Sequence, residues 1–491
     1  MEEEYIKLIF GLKLKQIRTD RKLSLFGLSK LTGLSKSYLN EIEKGKKYPK
    51  TDKIALLSEK LDTPYDHLVS LKLDKNLAPI GEILQSKILK EIPLELFGIK
   101  ESNLIDIIAN APDKVNAFIT SIIEIAKHYS FSKESFYLAS LRSYQQANYN
   151  YFDDLEKQVM LFSEAYQINL NKPIRSKELE DILVEEYGYT INNTDLRKHK
   201  ELYNLRSVFV PKTKTLLLAD HIDDAQRAFI YSKEIAYNFL SIDQRLYTFS
   251  WIKFENFDQV LNNFYASYFA GALVLPRNVL VEQLSSLFRK ETFDKALFVK
   301  TMESFTASPE SFYQRLTNLL PKDFNIQNLF FLRFTHKSGS DNFYLNKELH
   351  LTQQHSPHAN ETNEHYCRRW ISLKVLKDIA THKKAHVFDL QISHYVNDDL
   401  SYLVLSSATR DPFKEGQFRS ISLGLLINAQ LKRKMAFLED AGIKKQQVGV
   451  TCERCAIMDC TERKAPPHIL QGAEKNKKIA NVVADLTQKF S

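Results

Sequence analysis

The sequence predicts a multidomain chain that is all-α at its N-terminus and α+β through most of the remainder. Three observations carry that expectation. Apolar residues between positions 8 and 70 recur at helical spacing, with turn signals between the runs. From about residue 326 the period shortens from 3.6 toward 2. Three of the four cysteines crowd into "TCERCAIMDCTERKAPP", residues 451–467, as C-x2-C-x4-C, while the fourth, Cys367, lies far upstream.

A chain of 491 residues is long enough for several domains at about 150 residues each. No apolar run approaches the ~18–20 residues of a membrane helix. The opening "MEEEYIK" is acidic and has no apolar h-region, so a cytoplasmic protein without a secretory signal is expected. In that compartment clustered cysteines point to metal or redox chemistry rather than disulfides. The formal net charge is +8, and residues 11–50 alone hold eleven Lys/Arg against three Asp/Glu. The basic excess is therefore local, and a local basic block fits a polyanionic partner, nucleic acid first.

The order of signals in residues 8–70 sharpens this. Phe10, Leu14 and Ile17 mark one helix face, and Leu28 and Leu31 are expected to face inward from a short second helix starting near Ser24. In "TGLSKSYLNEIEKG", Gly33 allows the turn and Ser35 is placed to cap the next helix. Leu39 and Ile42 of that helix point in, whereas Lys36, Ser37, Asn40 and Glu41 point out. Gly45 ends it, and Thr51 is expected to cap a fourth helix carrying Ile54, Leu57 and Leu61. This is a helix-turn-helix, whose second helix enters the major groove of double-stranded DNA. "LSLFGLSKLTGLSKSYLNEIEKGKKYP" resembles the XRE family of Cro/repressor-type domains, with Leu25 where that family commonly has a DNA-touching glutamine. Lys36, Ser37 and Asn40 are the base-edge candidates. Tyr38, Lys44, Lys46 and Lys47 are expected to contact phosphates, which position the domain without reading sequence.

Residues 76–155 read as a helical connector, interrupted at "IPLELFG" and "NAPD". Its last part, "KESFYLASLRSYQQANYNYFDDLEKQVMLF", lacks Gly and Pro and is expected to form one long amphipathic helix anchored by Phe136, Tyr137, Leu141, Tyr144 and Tyr151.

Two later segments, "RAFIYSKEIAYNFL" and "NNFYASYFAGALVLP", resemble the helices of ImmA/IrrE-type zinc metallopeptidases. There an H-E-x-x-H helix holds zinc through two His at i, i+4, with Glu as general base. This chain reads "KEIAY". The resemblance implies ligand positions at Lys233, Tyr237 and Asn263, and of the family's set only Glu234, at the base position, is kept. An ammonium and a phenol do not form that zinc site at neutral pH, so no proteolysis is expected and the segment reads as a retained scaffold.

Strand-like segments follow: "NLFFLRFT", "NFYLNKELHL", "AHVFDLQISHYV", "LSYLVLSSATRD" and "FRSISLGLLI", with helices near 366–380 and 428–438. A sheet with helices on its faces is typical of GAF-type small-molecule sensors, an assignment by analogy. Three close thiols and one remote thiol differ from the paired C-x2-C motifs of zinc ribbons. They match an arrangement used by Fe–S clusters, with four ligands for a [4Fe–4S] cluster at Cys367, Cys452, Cys455 and Cys460. Arg368, Arg369, Arg454, Arg463 and Lys464 flank them and offer compensating charge. Zinc on the same four thiolates is the alternative. His350, His355, His358 and His365 form a His-rich tract that reads as a polar loop or as further metal donors.

As a whole the chain resembles the short-chain fatty acyl-CoA regulators, which join an XRE domain to a degenerate peptidase-like domain and end in C-R-x-C-x4-C-x2-R-x2-P-P. "CERCAIMDCTERKAPP" matches at Cys452, Cys455, Cys460, Arg463, Pro466 and Pro467, with Glu453 at the usual Arg position. "HYCRRWISLKVL" places Cys367 and Trp370 on the family's upstream C-P-x-W element, with Arg368 replacing Pro. The resemblance implies a transcription factor that senses an acyl-CoA and can carry an Fe–S cluster, and a homodimer is expected. For the CoA phosphates, Arg410, Arg419, Lys432, Arg433 and Lys434 are the nearest cations in sequence. The expected organisation is a helix-turn-helix domain (1–75), helical connector (76–155), α+β peptidase-like domain (156–325), α+β GAF-like sensor (326–440), and a cysteine-cluster segment with a C-terminal helix (441–491). A stress or phage-type XRE regulator with a zinc-stabilised C-terminus is the alternative reading, and an active metallopeptidase is disfavoured by the lost His pair.

Overall fold

The computed structural model describes residues 2–71, 133–247, 254–305, 307–351, 364–382, 384–411 and 414–490. Most of the expected connector, including "IPLELFG" and "NAPD", lies outside them, as do His355 and His358. The chain divides into two compact units, residues 1–140 with 255–257, and residues 141–254 with 258–491.

The first unit begins with helices α1 (Glu2–Asp20), α2 (Leu25–Thr32), α3 (Lys36–Glu43), α4 (Thr51–Lys60) and α5 (Tyr65–Val69). Phe10, Leu14, Leu28, Leu39, Ile42, Ile54, Leu57, Leu61 and Leu68 form one core. Ser24 and Ser35 cap α2 and α3 by accepting from the backbone N–H of Gly27 and Tyr38. Gly33 (φ +70°) ends α2 in the left-handed conformation that glycine adopts without steric cost. At Gly11, α1 crosses the end of α3 so closely that a Cβ would lie 2.2 Å from the Ile42 carbonyl oxygen. Two expectations are corrected. Leu31 is exposed; the inward position one residue on is taken by Thr32, whose hydroxyl is satisfied by the Leu28 carbonyl at 2.7 Å. Thr51 is the first residue of α4 and makes no capping bond; Lys50 occupies the cap position.

The expected long helix is broken in two, α6 (Lys133–Ala147) and α7 (Asp153–Ala165). Tyr149 and Asn150 take positive φ between them. Buried Asn150 fixes the break: its side chain donates to Thr317 Oγ1 at 2.7 Å and accepts from Gln145 at 3.0 Å. Its carbonyl accepts from Asn318 at 2.7 Å.

The second unit continues with α8 (Ser176–Glu185), strands β1 (Thr190–Asn192), β2 (Ser207–Val210) and β3 (Thr215–Leu218), and helices α9 (Asp224–Phe239), α10 (Phe257–Val274), α11 (Arg277–Phe288), α12 (Lys295–Glu303) and α13 (Pro309–Phe324). The three strands form a small sheet in the order β1-β3-β2. Then come β4 (Leu329–Lys337), β5 (Phe343–His350), α14 (Ile371–His382), β6 (His386–Tyr395), β7 (Leu400–Arg410), β8 (Gln417–Leu426), α15 (Ala429–Lys434), β9 (Lys445–Val448) and α16 (His468–Phe490). The large sheet has the order β5-β4-β8-β7-β6-β9, antiparallel except that β9 runs parallel to β6. All five strand-like segments of the sequence are strands in it.

Alternation along these strands serves two cores. Phe331, Leu403, Leu405, Leu423 and Leu425 face the helical region and join a core that runs continuously back to α7. Phe330, Leu332, Phe334, Tyr402 and Val404 face the opposite way, onto Trp370, Leu373 and Leu376. The peptidase-like and sheet regions thus share one core within this unit. No single helix among the described residues is long and apolar enough to cross a membrane.

Candidate nucleic-acid interface, cationic recess and cysteine pocket

On α3, Lys36, Ser37 and Asn40 are exposed along one face, opposite buried Leu39 and Ile42. Tyr38 is half-buried against the core, and the Lys47 ammonium lies 5.1 Å above its ring and 3.7 Å from Glu41. Lys44 occupies the C-terminal cap of α3, and Lys46 is exposed just beyond it. The seven candidates therefore share one helix and the turn that follows. Leu25 packs partly against the core, while its neighbour Phe26 is exposed with the Lys30 ammonium 4.9 Å from its ring. What sequence reading missed is the brace beneath: Arg18 of α1 holds Glu43 of α3 through two bonds of 2.6 and 2.9 Å and also binds the Leu23 carbonyl. Both charged groups are largely buried, so this pair fixes the recognition helix against α1.

In the second unit the peptidase-like positions do converge. Asn263 Oδ1 accepts from Lys233 Nζ at 2.6 Å and from Tyr237 OH at 3.4 Å. An ammonium thus sits among the three positions the resemblance assigns to zinc. Burial drives the Lys233 pKa down to about 7. Glu234 is clamped by Arg245 through both carboxylate oxygens, at 2.7 and 2.6 Å, and accepts from Tyr189 OH at 3.1 Å. The Arg245 guanidinium is sandwiched 4.0 Å from the Tyr237 ring and 4.3 Å from the Phe209 ring. A carboxylate held this way is a structural anion, not a base poised for water.

Beside this site lies a cluster that no sequence pattern marks. Glu310 of α13 pairs with Arg333 of β4 at 3.1 Å and Lys347 of β5 at 3.6 Å. Arg206, before β2, and Arg419, on β8, act on the same carboxylate, and Arg206 and Lys347 act also on Lys233. Burial alone would raise the Glu310 pKa, but the surrounding cations outweigh it and hold it well below the usual carboxylate range. The Lys347 side chain is 48% exposed, so the cluster is open to solvent at that residue. Arg206 also feels Asp411, so among the described residues four cations face two carboxylates and the cluster keeps a positive excess. Of the cations nearest in sequence, Arg419 belongs to this group. Lys432, Arg433 and Lys434 lie exposed on α15, and Arg410 is exposed at the end of β7.

The four cysteines line one small cavity with Arg368, Thr451 and Ile457. A β-bridge between Tyr366 and Thr451 brings the remote segment to the motif, with Cys367 N–H on the Val450 carbonyl at 3.0 Å and Cys452 N–H on the His365 carbonyl at 2.8 Å. Trp370 Nε1 donates to the Gly449 carbonyl at 2.8 Å, and a Cβ on Gly449 would lie 2.7 Å from Cys455 Sγ. Arg463 donates to the carbonyls of Cys452, Cys455 and Ile457 at 2.6, 3.1 and 2.6 Å, so it staples the loop from inside. Arg454 is engaged by Glu364, and His365 by Glu453 at 2.7 Å. The Lys464 N–H points at Cys452 Sγ, 3.4 Å away. Burial pushes the Cys367 thiol up to about 11, against backbone N–H groups of Gly449 and Arg369 that pull the other way. All four thiols are free. Among the described residues, no three His, Cys, Asp or Glu side chains are grouped as the donors of a metal ion. The thiols share a cavity without closing on one point. Soft sulfur donors, a backbone N–H aimed at sulfur and a glycine held against it suit a thiolate-bound cluster.

The N-terminal fold and its exposed recognition helix define a helix-turn-helix DNA-binding domain. Residues 14–68 match the helix-turn-helix family HTH_3. Comparison with curated protein sequences finds no match. Among solved structures, a Mycobacterium tuberculosis transcriptional regulator is similar at 17% identity and a TM-score of 0.47, over 66% of this chain and 92% of that one.

Proposed function

We propose that this regulator is a cytoplasmic homodimer that controls short-chain acyl-CoA metabolism, and that its operator affinity responds to an acyl-CoA and to a [4Fe–4S] cluster on Cys367, Cys452, Cys455 and Cys460. It has no catalytic role: the zinc positions carry Lys233, Tyr237 and Asn263, and Glu234 is held by Arg245. The observation that carries the effector reading is the cluster of cations around Glu310, with Arg333 at 3.1 Å, Lys347 at 3.6 Å, and Arg206 and Arg419 acting on the same carboxylate. CoA bears several phosphate charges, and such a recess supplies the cations they need without a metal. A bound effector changes DNA affinity only through its differential affinity for two states of the protein. The recess joins elements of the peptidase-like and sheet regions, so occupancy acts on the packing between them. Calorimetry with acetyl-, propionyl- and butyryl-CoA tests this. Lys347→Gln is expected to weaken binding by about tenfold, ~1.4 kcal/mol. No binding of any of the three to the metal-replete protein removes the effector reading.

For DNA, Asn40→Ala and Lys36→Ala are each expected to cost about 1–3 kcal/mol on the operator if the side chain makes a bidentate base contact. Lys46→Ala is expected to weaken binding on every sequence and to flatten its salt dependence by about one unit of slope. Electrophoretic titrations on operator and scrambled duplex at several salt concentrations separate the two kinds of contact. Unchanged operator affinity in Asn40→Ala removes that residue from the reading face.

A further inference from the structure

Helix α16 leaves the cysteine loop at Pro467 and runs for 23 residues with almost every side chain exposed. It is amphipathic. Ile479, Val482, Val483 and Leu486 lie at i, i+3, i+4, i+7, and each is between 49% and 57% exposed. Exposed aliphatic residues at that spacing form a stripe rather than a scatter. Lys478 and Asp485 flank it, seven residues apart and therefore on the same edge.

We propose that α16 is a dimerisation helix, pairing antiparallel with α16 of a second copy. The charge pattern selects the occupant and its direction. A two-fold axis between Ala480 and Asn481 sets Ile479 against Val482 of the partner subunit, and the reciprocal contact follows by symmetry. The same register brings Lys478 against Asp485 of the partner subunit, twice. It lays the aliphatic stem of Lys475 over Leu486 of the partner subunit. A parallel pair would instead carry the two copies of this edge to opposite sides of the seam, where Lys478 and Asp485 face the uncharged edge at Val483 and find no counterpart. The stripe is short, well below the roughly 800 Å² per partner of a standard interface. Pairing is therefore weak between free molecules and is completed when two copies occupy adjacent half-sites, which raises their effective concentration. This rests on the homodimer reading and locates its interface.

The test uses the full chain in sedimentation equilibrium and operator titration. Val482→Asp, at an exposed position, is expected to leave the circular dichroism unchanged, shift the protein to monomer and weaken operator binding at least tenfold. Lys478→Asp and Asp485→Lys are each expected to weaken self-association severalfold, and the double substitution to restore it. Spin labels at Ala473 are expected about 22 Å apart in the antiparallel pair and about 10 Å apart in a parallel one. A dimer indifferent to Val482→Asp, or a double substitution that fails to rescue, overturns the inference while leaving the homodimer reading intact. A wild-type monomer on its operator overturns both. Binding of the full chain to phosphatidylserine vesicles through this stripe, with self-association unaltered by Val482→Asp, assigns it to a membrane surface and also overturns the proposal.

Discussion

Arg245→Met is expected to destabilise the second unit by about 3–5 kcal/mol, the cost of leaving one partner of a buried ion pair alone. Both side chains are buried, and Arg245 supplies two of the three bonds that the Glu234 carboxylate receives from side chains. Without the guanidinium, Tyr189 OH is the one side-chain donor left to that carboxylate among the described residues. The arginine also fills the space between the Tyr237 and Phe209 rings, so its loss removes packing as well as charge. Glu234→Leu together with Arg245→Met is expected to be milder than Arg245→Met alone, because no buried charge is then left unpaired. Thermal or denaturant midpoints of the three proteins decide it. An unchanged midpoint in Arg245→Met means that the carboxylate is solvated, and the general-base reading of Glu234 returns. On this chain the acid holds α9 to the segment at Arg245.

Legibility in the sequence followed the range of the interactions. The helix-turn-helix was readable because its determinants are local: Ser24 and Ser35 as caps, Gly33 and Gly45 at positive φ, and leucines at helical spacing. The strands of the large sheet were readable because one face meets each core, which imposes alternation on the residues themselves. β9 was not, because "KQQV" is polar and joins the sheet edge only through parallel bonds to β6. The break at Tyr149–Asn150 was hidden because it carries neither Gly nor Pro; its cause is the buried amide network to Thr317 and Asn318, far along the chain. The same holds for the cationic recess. Arg206, Glu310, Arg333, Lys347 and Arg419 stand on separate elements, and nothing local distinguishes them from solvated surface charges. Proximity in sequence had pointed to Arg419 but also to Arg410, Lys432, Arg433 and Lys434, which lie elsewhere. The cysteine motif stands out in the sequence through its spacing, whereas Arg463 reads as a flanking charge in the sequence and is a staple for three carbonyls in the fold.

Serine at Cys367, Cys452, Cys455 or Cys460 is expected to lower metal content and to loosen the C-terminal segment. Ligand binding to a folded thiolate site is partly folding free energy: a structural zinc site is worth roughly 10–16 kcal/mol in apparent terms, so losing even a fraction exceeds any single contact in this loop. The protein context is already arranged for it. The Tyr366–Thr451 bridge, the Arg463 staple and the Gly449 contact hold four sulfurs around one cavity. Gly449→Ala is expected to act like a ligand variant without touching a ligand, since its Cβ would press on Cys455 Sγ. Protein purified without oxygen is expected to be brown, with iron and sulfide near four each per chain, and to bleach in air with a change in operator affinity. Each serine variant is expected to lose that colour and to show faster hydrogen exchange in residues 445–470. Zinc fits the same residue types, with sulfurs near ~2.3 Å from one ion. A colourless anaerobic preparation with one equivalent of zinc therefore overturns the cluster and keeps the ligand set. Full metal content in Cys367→Ser removes the remote cysteine from that set, with the three-cysteine motif then completed by another donor.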